Sequence, residues 1–159
     1  MDKSVIRYAR EEDTSLFLKF IKEIAKYEKM LDEVIATEDL LRQELFVDNR
    51  AEVIFLMVDE KEVGFALFFH NFSTFMGRSG MYLEDLFVLP EYRGFGYGKK
   101  LFRQVGKIAA ERGCGRFEWS CLNWNQPSID FYRSQGAQSM DEWTVYRITG
   151  DTLKNMIEE

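Results

Sequence analysis

Residues 92–98 read Tyr92-Arg93-Gly94-Phe95-Gly96-Tyr97-Gly98, and this stretch decides the fold. It follows an apolar run of strand character, Met81 to Pro90, and it opens a run of helical character, Lys99 to Arg112. A glycine-rich turn between a strand and a helix leaves several backbone N–H groups pointing the same way, with no side chains to block an approaching anion. The stretch therefore predicts a phosphate-binding loop, although three glycines can also form no more than a tight connection.

Glycine spacing excludes two familiar phosphate-binding motifs. The dinucleotide fingerprint needs G-x-G-x-x-G, whereas the glycines here run G-x-G-x-G. The phosphate loop of nucleoside triphosphatases needs four residues between its glycines and a Ser or Thr after its lysine to hold magnesium. Gly94 and Gly98 are one residue too close for that motif, and Lys100 stands where the Ser or Thr belongs.

Length and composition predict one globular domain that does not span a membrane. Of the 159 residues, 46% are hydrophobic and 15% aromatic, which is enough for a packed core without disulfides. No apolar run approaches the ~20 residues that cross a bilayer, and the start of the chain mixes charge with apolarity, unlike a secretory signal. The net charge of −6 argues against nucleic acid as a partner. It suits a cationic substrate, although solubility alone also explains it.

Cysteine and histidine usage predicts a cytoplasmic protein without a metal. Cys114 and Cys121 form no C-x-x-C pair, so we expect them to be reduced thiols. His70 is the only histidine in the sequence. A single histidine excludes a multi-histidine metal site and argues against a Ser/His or Cys/His nucleophile.

Hydrophobic periodicity predicts an α+β fold around a mixed sheet. The predicted strands cover residues 5–8, 51–58, 63–69, 81–89, 116–121 and 143–148, with a turn at residues 77–80. The predicted helices begin at Asp13 or Thr14, at Thr37, at the glycine-rich stretch, at Asn125 and near Asp151.

The R-G-x-G-x-G pattern follows an apolar strand that contains an acidic residue, and it resembles the acetyl-coenzyme A pyrophosphate loop of the GNAT N-acetyltransferase superfamily. Three further blocks, residues 21–28, 82–88 and 124–132, resemble the diamine (spermidine/spermine) and thialysine N-acetyltransferases of that superfamily. The blocks lie in order and span most of the chain. The resemblance implies a single GNAT domain over residues 1–159, with a mixed central sheet, helices on both faces and two splayed strands that bind coenzyme A.

That resemblance also implies an activity. It is the direct transfer of acetyl from acetyl-coenzyme A to a primary amine of a small cationic acceptor, a polyamine, diamine or lysine-like amine, within a ternary complex. A cytoplasmic homodimer is expected, with no metal. Two other functions stay open, namely acetylation of a protein or peptide amine, and acyl-coenzyme A sensing without turnover.

Glu84 and Tyr132 are the predicted catalytic residues. Because only about one alkylammonium in 10³ is neutral at pH 7, the enzyme must remove a proton from the amine and return one to the leaving thiolate. Glu84 lies in an apolar strand and matches the functional glutamate of the resembled family, so it is the candidate base, directly or through water; an ion pair across the sheet is the alternative. Alternation predicts that Glu84 and Asp85 point to opposite faces. Tyr132 matches the family's acid, and it could instead be a core aromatic.

The resemblance implies that coenzyme A lies between the strands of residues 81–89 and 116–121, and that it contacts the first strand, the glycine-rich loop and the helix that begins at Asn125. Backbone groups of the strand are expected to bind pantetheine, and the loop to bind pyrophosphate. The assigned residues are Leu86, Phe87 and Val88 in the strand; Arg93, Gly94, Phe95, Gly96, Tyr97, Gly98 and Lys99 in the loop; and Asn125, Ser128 and Tyr132 further on. Asn125 could also be an ordinary helix cap.

Tyr27 and Glu28, together with Glu84, are assigned to the amine acceptor by the same resemblance. Glu28 could attract a second ammonium, or the pair could simply end the first helix. Polyamine-specific members carry an acidic residue where this chain has residues 71–75, Asn-Phe-Ser-Thr-Phe. The missing carboxylate favours the thialysine branch and lysine-like amines.

Overall fold

One five-stranded sheet organises the protein in the computed structural model, which describes residues 3–158. The strands are β1 (Ser4–Tyr8), β2 (Glu52–Val58), β3 (Lys61–Ser73), β4 (Arg78–Val88) and β5 (Phe117–Trp119). They lie side by side in chain order. The first four pair antiparallel, whereas β5 pairs parallel to β4, so the predicted mixed sheet of an α+β fold is confirmed.

Three helices lie between strands of the sheet, and two follow the last strand. They are α1 (Thr14–Tyr27), α2 (Glu38–Arg42), α3 (Tyr97–Glu111), α4 (Gln126–Ser134) and α5 (Gly150–Lys154), and α2 continues into a π-helical turn at Gln43–Val47. Thr37 caps α2, because its side chain accepts a hydrogen bond from the Leu40 amide at 3.2 Å. Within residues 3–158, no helix combines the length and apolarity needed to cross a membrane.

The chain divides between Ser120 and Cys121 into two compact units. The first unit contains the sheet with α1, α2 and α3, and the second contains α4 and α5. The single domain over residues 1–159 stays a prediction.

Aromatic side chains fill the core on one face of the sheet. Phe17 and Phe20 of α1 pack against Phe55 of β2 and Phe65 of β3, and Phe65 also contacts Phe87 of β4. Their ring centroids lie 5.3–6.4 Å apart in edge-on or tilted arrangements, the geometry that aromatic pairs prefer. This packing fixes the position of α1 on the sheet.

Helix α3 covers the other face. Leu101 and Val105 of α3 are fully buried. A Cβ added to Gly64 of β3 would lie 3.2 Å from the Leu101 side chain and 2.8 Å from the Phe87 carbonyl oxygen. Because neighbouring residues of a strand point to opposite faces, Gly64 faces α3 while Phe65 faces α1. The prediction of helices on both faces is therefore confirmed.

Three boundary predictions need correction. The turn predicted at residues 77–80 lies at residues 74–77, so that β4 begins at Arg78, and β5 is shorter than the predicted 116–121. The strand predicted at residues 143–148 is wrong, because this segment has no strand pairing. Trp143, Val145 and Tyr146 are 76%, 79% and 89% exposed there. Strand preference reflects fit to a partly buried pleated surface, and this segment has none.

Candidate active site

The glycine-rich loop leads directly into the N-terminus of α3. Gly94 and Gly96 have φ angles of 87° and 84°, which glycine adopts without steric cost. A Cβ at either position would meet nothing within 4 Å, so the backbone here is open to a ligand. The amides of Tyr97, Gly98 and Lys99 form the first turn and lack acceptors within the helix. These amides and the helix dipole fit the diphosphate of an acyl carrier.

Side chains at the loop have separate roles. The rings of Phe95 and Tyr97 stack with centroids 5.9 Å apart, and Lys99 is exposed beside them. Lys100 instead donates to the Ser4 carbonyl oxygen at 2.8 Å and to its Oγ at 2.7 Å. Lys100 therefore attaches α3 to β1, and Lys99 is the lysine exposed to an anion at the loop.

The edge of β4 next to β5 is partly open. β5 pairs with β4 only from Met81 to Leu83, so no described strand pairs with the stretch from Glu84 to Val88 on that edge. An extended ligand can hydrogen-bond to such an edge in place of a strand. This gap lies where the sequence predicted the pantetheine arm of coenzyme A.

Backbone alternation decides which groups face that gap. The Leu89 amide donates to the Val63 carbonyl oxygen on β3 at 2.8 Å. Because successive residues of an antiparallel strand direct their backbone groups to alternate edges, those of Phe87 face β3 and those of Leu86 and Val88 face the gap. The sequence had assigned all three residues to the coenzyme, which stays a prediction; of the three, Leu86 and Val88 direct backbone groups to the gap.

A β-bulge places Glu84 outside the regular ladder. Asp85 pairs with Leu67 and Leu83 pairs with Phe68, which leaves Glu84 as the extra residue of β4. The expectation that alternation sends Glu84 and Asp85 to opposite faces therefore fails, because two residues oppose one at a bulge. The charge of Glu84 contributes to a raised pKa of Asp85, so the two carboxyl groups lie within electrostatic range.

Three carboxyl groups form an acidic cluster: Glu28 just after α1, and Glu84 and Asp85 of β4. Burial, followed by the charges of Glu84 and Glu28, raises the pKa of Asp85 to about 7. Burial and the charge of Glu84 also raise the pKa of Glu28. Within residues 3–158, none of the three side chains forms an ion pair or hydrogen bond. The cluster thus lacks a cation of the protein's own. Asp85 was missed at the sequence level, where only one member of the pair was expected to face the site.

Arg93 directs its side chain away from the loop. Its guanidinium carbon lies 4.7 Å from the ring centroid of Tyr27 and 5.2 Å from that of Phe87. Its Nε donates to the Val88 carbonyl oxygen at 2.9 Å. In this arrangement only the backbone of Arg93 is available to a diphosphate. Tyr27, which the sequence predicted to bind the acceptor, contacts the side chain of this loop residue.

The second unit holds the remaining predicted residues, with Ser128 and Tyr132 on α4 and Asn125 at its N-cap. Asn125 is buried and caps the helix, accepting from the Ser128 amide at 3.4 Å, so its role as a plain cap is present. Tyr132 is half-buried, with its ring 5.5 Å from that of Phe131 in an edge-on arrangement. Asn125, Ser128 and Tyr132 are thus brought together on one helix.

His70 and Cys114 meet, although they are far apart in sequence. Cys114 Sγ lies 3.7 Å from His70 Nδ1. Arg112 donates to His70 Nε2 at 3.1 Å, so Nε2 must accept and Nδ1 carries the proton, which faces the Gly80 carbonyl oxygen at 3.2 Å. A protonated nitrogen cannot take the thiol proton, so this pair is not arranged as a nucleophile and base. Among the residues described, no group of three or more His, Cys, Asp and Glu could hold a metal ion.

Comparisons with known proteins identify the family and the fold. The model of the Acetyltransferase (GNAT) family matches residues 5–137. A thialysine N-epsilon-acetyltransferase of Sus scrofa is 34% identical over 168 aligned positions that cover 98% of each chain. An L-ornithine N5-acetyltransferase of Arabidopsis thaliana is 39% identical over 117 positions, which cover 74% of this chain and 48% of the relative. An integron cassette protein from the mobile metagenome of V. cholerae has a similar structure, with a TM-score of 0.82 and 25% identity over the full length of both chains.

Proposed function

The chain belongs to the GNAT acetyltransferase family and is an N-acetyltransferase that acts on amines, and from that premise we propose its donor and acceptor. The donor is acetyl-coenzyme A, and the acceptor is a primary amine on a small cationic molecule, of the lysine-like or diamine class. One observation carries the choice of acceptor: the acidic cluster of Glu28, Glu84 and Asp85 has no cation of its own. The relatives' names point to the same class, since they include thialysine and ornithine.

The donor would be held by backbone groups rather than by charged side chains. The amides of Tyr97, Gly98 and Lys99 would receive the diphosphate at the positive end of α3. The backbone groups of Leu86 and Val88 on the open edge of β4 would hold the pantetheine arm. When bound, acetyl-coenzyme A supplies the activated acetyl group.

The acidic cluster would bind the acceptor and take its proton. An ammonium group is attracted by three carboxylates without partners, and its neutral form must be generated before it can attack the acetyl carbon. Glu84 is exposed at the bulge and accepts that proton, directly or through water. Asp85 is protonated about half of the time near neutral pH, because its pKa is about 7. It therefore limits the negative charge that the cluster carries before the acceptor binds.

Transfer would be direct, within a ternary complex. The His70–Cys114 pair has the wrong tautomer to make a nucleophile, so no acyl-enzyme is invoked. Tyr132 would return a proton to the leaving thiolate, because a phenol with a pKa near 10 can protonate a sulfur as it departs. A cytoplasmic location and a homodimer are parts of the same proposal, inferred from the family resemblance.

A screen for the release of free coenzyme A tests this proposal. The acceptors to compare are thialysine, lysine, ornithine, a short diamine, spermidine and a peptide with a free N-terminus. The proposal predicts the highest kcat/KM for a lysine-like amine or diamine and a lower value for spermidine. Turnover of the peptide alone would contradict the acceptor class. Binding of acetyl-coenzyme A without turnover of any amine would instead indicate a sensor.

A further inference from the structure

Arg93 contacts the donor side and the acceptor side of the site at once. Arg93 is the last residue with an extended backbone before Gly94, with φ −78° and ψ 156°. Its side chain reaches back over Phe87 to Tyr27, and its Nε holds the Val88 carbonyl oxygen. Arg93 therefore joins two regions that the reaction must bring together.

On the donor side, we expect Arg93 to respond to a ligand bound at the glycine-rich loop. Gly94 and Gly96 follow Arg93, and both have positive φ with no atom within 4 Å of where a Cβ would stand, so the loop backbone is accessible to a ligand. A bound diphosphate would satisfy the first-turn amides of α3 and fix the loop. The Val88 carbonyl oxygen lies on the open edge of β4, where the pantetheine arm is proposed to bind. Donor binding would thus restrain Arg93 at both its backbone and its Nε.

The acceptor end is the C-terminal turn of α1. Tyr27 is the last residue of the helix, and Glu28 of the acidic cluster follows it. Two hydrogen bonds close the turn: the Glu28 amide donates to the Ile24 carbonyl oxygen at 2.9 Å, and the Met30 amide donates to that of Ala25 at 2.8 Å. Lys29 has a φ of 62°, a strained conformation for a residue with a side chain. The guanidinium of Arg93 on the Tyr27 ring therefore steadies a turn that its own backbone holds under strain.

We propose that Arg93 is a positioning residue that couples donor binding at the glycine-rich loop to the ordering of the α1 terminus that carries Tyr27 and Glu28. The inference rests on the proposed function, because it assumes that coenzyme A occupies the loop. Coupling between two sites is reciprocal, so coenzyme A tightens acceptor binding by the same factor as the acceptor tightens coenzyme A binding. A single cation–π contact at an exposed site supports a factor of about two to five.

Hydrogen exchange with coenzyme A as the probe tests the coupling without turnover. Calorimetry first gives the coenzyme A affinity of the wild type, Arg93→Met, Arg93→Lys and Lys61→Met. Lys61 is the matched control, because its amine lies over the neighbouring Tyr92 ring at 5.5 Å and does not contact α1. Exchange of the amides of residues 28–30 is then measured for each protein with and without saturating coenzyme A.

The wild type and Lys61→Met should show exchange at residues 28–30 slowed about two- to fivefold by coenzyme A. Arg93→Met should show no slowing even when saturated, and Arg93→Lys only part of it, because lysine lacks the planar fork that contacts a ring and a carbonyl together. The lysine variant carries the test if the methionine variant fails to fold.

If exchange at residues 28–30 is slowed as fully in coenzyme-saturated Arg93→Met or Arg93→Lys as in the wild type, the proposed coupling through Arg93 is wrong. Wild-type binding of coenzyme A without any slowing at residues 28–30 overturns it as well. Absence of coenzyme A binding by the wild type overturns the proposed donor and this inference with it, so the two failures are told apart by the calorimetry.

Discussion

Two clusters in the first unit contain carboxyl groups whose pKa values are shifted in opposite directions. Arg7 makes a two-point ion pair with Asp13, at 2.7 and 2.9 Å, and binds Glu62 at 2.7 Å. Hydrogen bonding from Arg7 lowers the pKa of Asp13. In the acidic cluster, burial and neighbouring carboxylates raise the pKa values of Asp85 and Glu28. In the first cluster both carboxylates pair with Arg7, whereas no carboxyl group of the acidic cluster has a cation partner within the described residues.

The comparison separates carboxylates that stabilise the fold from those available to a ligand. Asp13 lies between β1 and α1, and it also accepts from the Arg10 amide at 2.7 Å, so all of its partners are internal. Glu28, Glu84 and Asp85 lie around a bulge and a helix end, where regular backbone pairing stops. Carboxyl groups whose pKa values are raised by burial and by one another are typical of functional sites, and this supports the proposed acceptor site.

The largest expected effect comes from Glu84→Gln. Loss of a general base is expected to lower kcat/KM for the best acceptor by about 10²–10⁴. The measurement is steady-state kinetics across pH 6–9, with Glu60→Gln in the exposed β2–β3 turn as the matched control. An unchanged rate and pH profile in Glu84→Gln would remove Glu84 from the reaction.

The Arg7 cluster should matter for stability instead of activity. Arg7→Met leaves Asp13 and Glu62 without their cation, which is expected to cost about 2–3 kcal/mol of the free energy of unfolding. Urea denaturation measures this cost. The control is Arg50→Met, because Arg50 pairs with Glu44 at 3.6 Å on the exposed surface, where a pair contributes about 0–1 kcal/mol. Equal costs for the two variants would show that the Arg7 cluster is no more than a surface ion pair.

The two clusters should also give opposite dependences of stability on pH. The folded pKa of Asp85, about 7, exceeds its unfolded value of about 3.9, so folding binds the proton more tightly. Its contribution is fully present below pH ~4 and is lost as pH rises to about 7, with a change on the order of 4 kcal/mol. The pKa of Asp13 is lowered, so its contribution is present above pH ~4 and is lost as pH falls through its folded pKa.

Urea denaturation at several pH values, for the wild type and for Asp85→Asn and Asp13→Asn, measures both slopes. Asp85→Asn should remove the decline in stability between pH 4 and 7. Asp13→Asn should remove part of the loss at acid pH and lower stability near neutrality. Slopes of the same sign for the two aspartates would contradict the distinction between the clusters.

The smallest expected effect comes from Glu28→Gln. Its carboxylate is placed to attract a second positive charge, so its loss should raise KM for a diamine about fivefold, or about 1 kcal/mol, with little change for a simple monoamine. Glu23→Gln is the control on the same helix, because Glu23 already pairs with Lys26 at 3.5 Å. A matching rise in KM for both amines would show that Glu28 does not select for the second charge.

The sequence predicted the features that depend on local chemistry. The glycine-rich loop could be recognised from the sequence, because Gly94 and Gly96 have positive φ angles and such positions favour glycine. Thr37 and Asn125 could be recognised as caps, because capping needs only a short polar side chain before an apolar helical pattern.

Features that depend on partner strands could not be predicted. The bulge at Glu84 is a property of the register between β3 and β4, and no residue type in β4 encodes it. Alternation therefore misplaced Asp85 relative to Glu84. The contact between His70 and Cys114 joins residues 44 positions apart, and the path of the Arg93 side chain depends on where α1 packs.

The titration of the Asp85 carboxyl group by carbon-13 NMR tests the central claim most directly. The claim is that the acidic cluster is held without an internal cation and receives one from the acceptor. It predicts a pKa of about 7 in the free protein. It also predicts a clear fall in that pKa when a saturating lysine-like amine is present, because a nearby positive charge favours the ionised carboxylate. A pKa near 4 in the free protein, or a value that the amine leaves unchanged, would contradict the account.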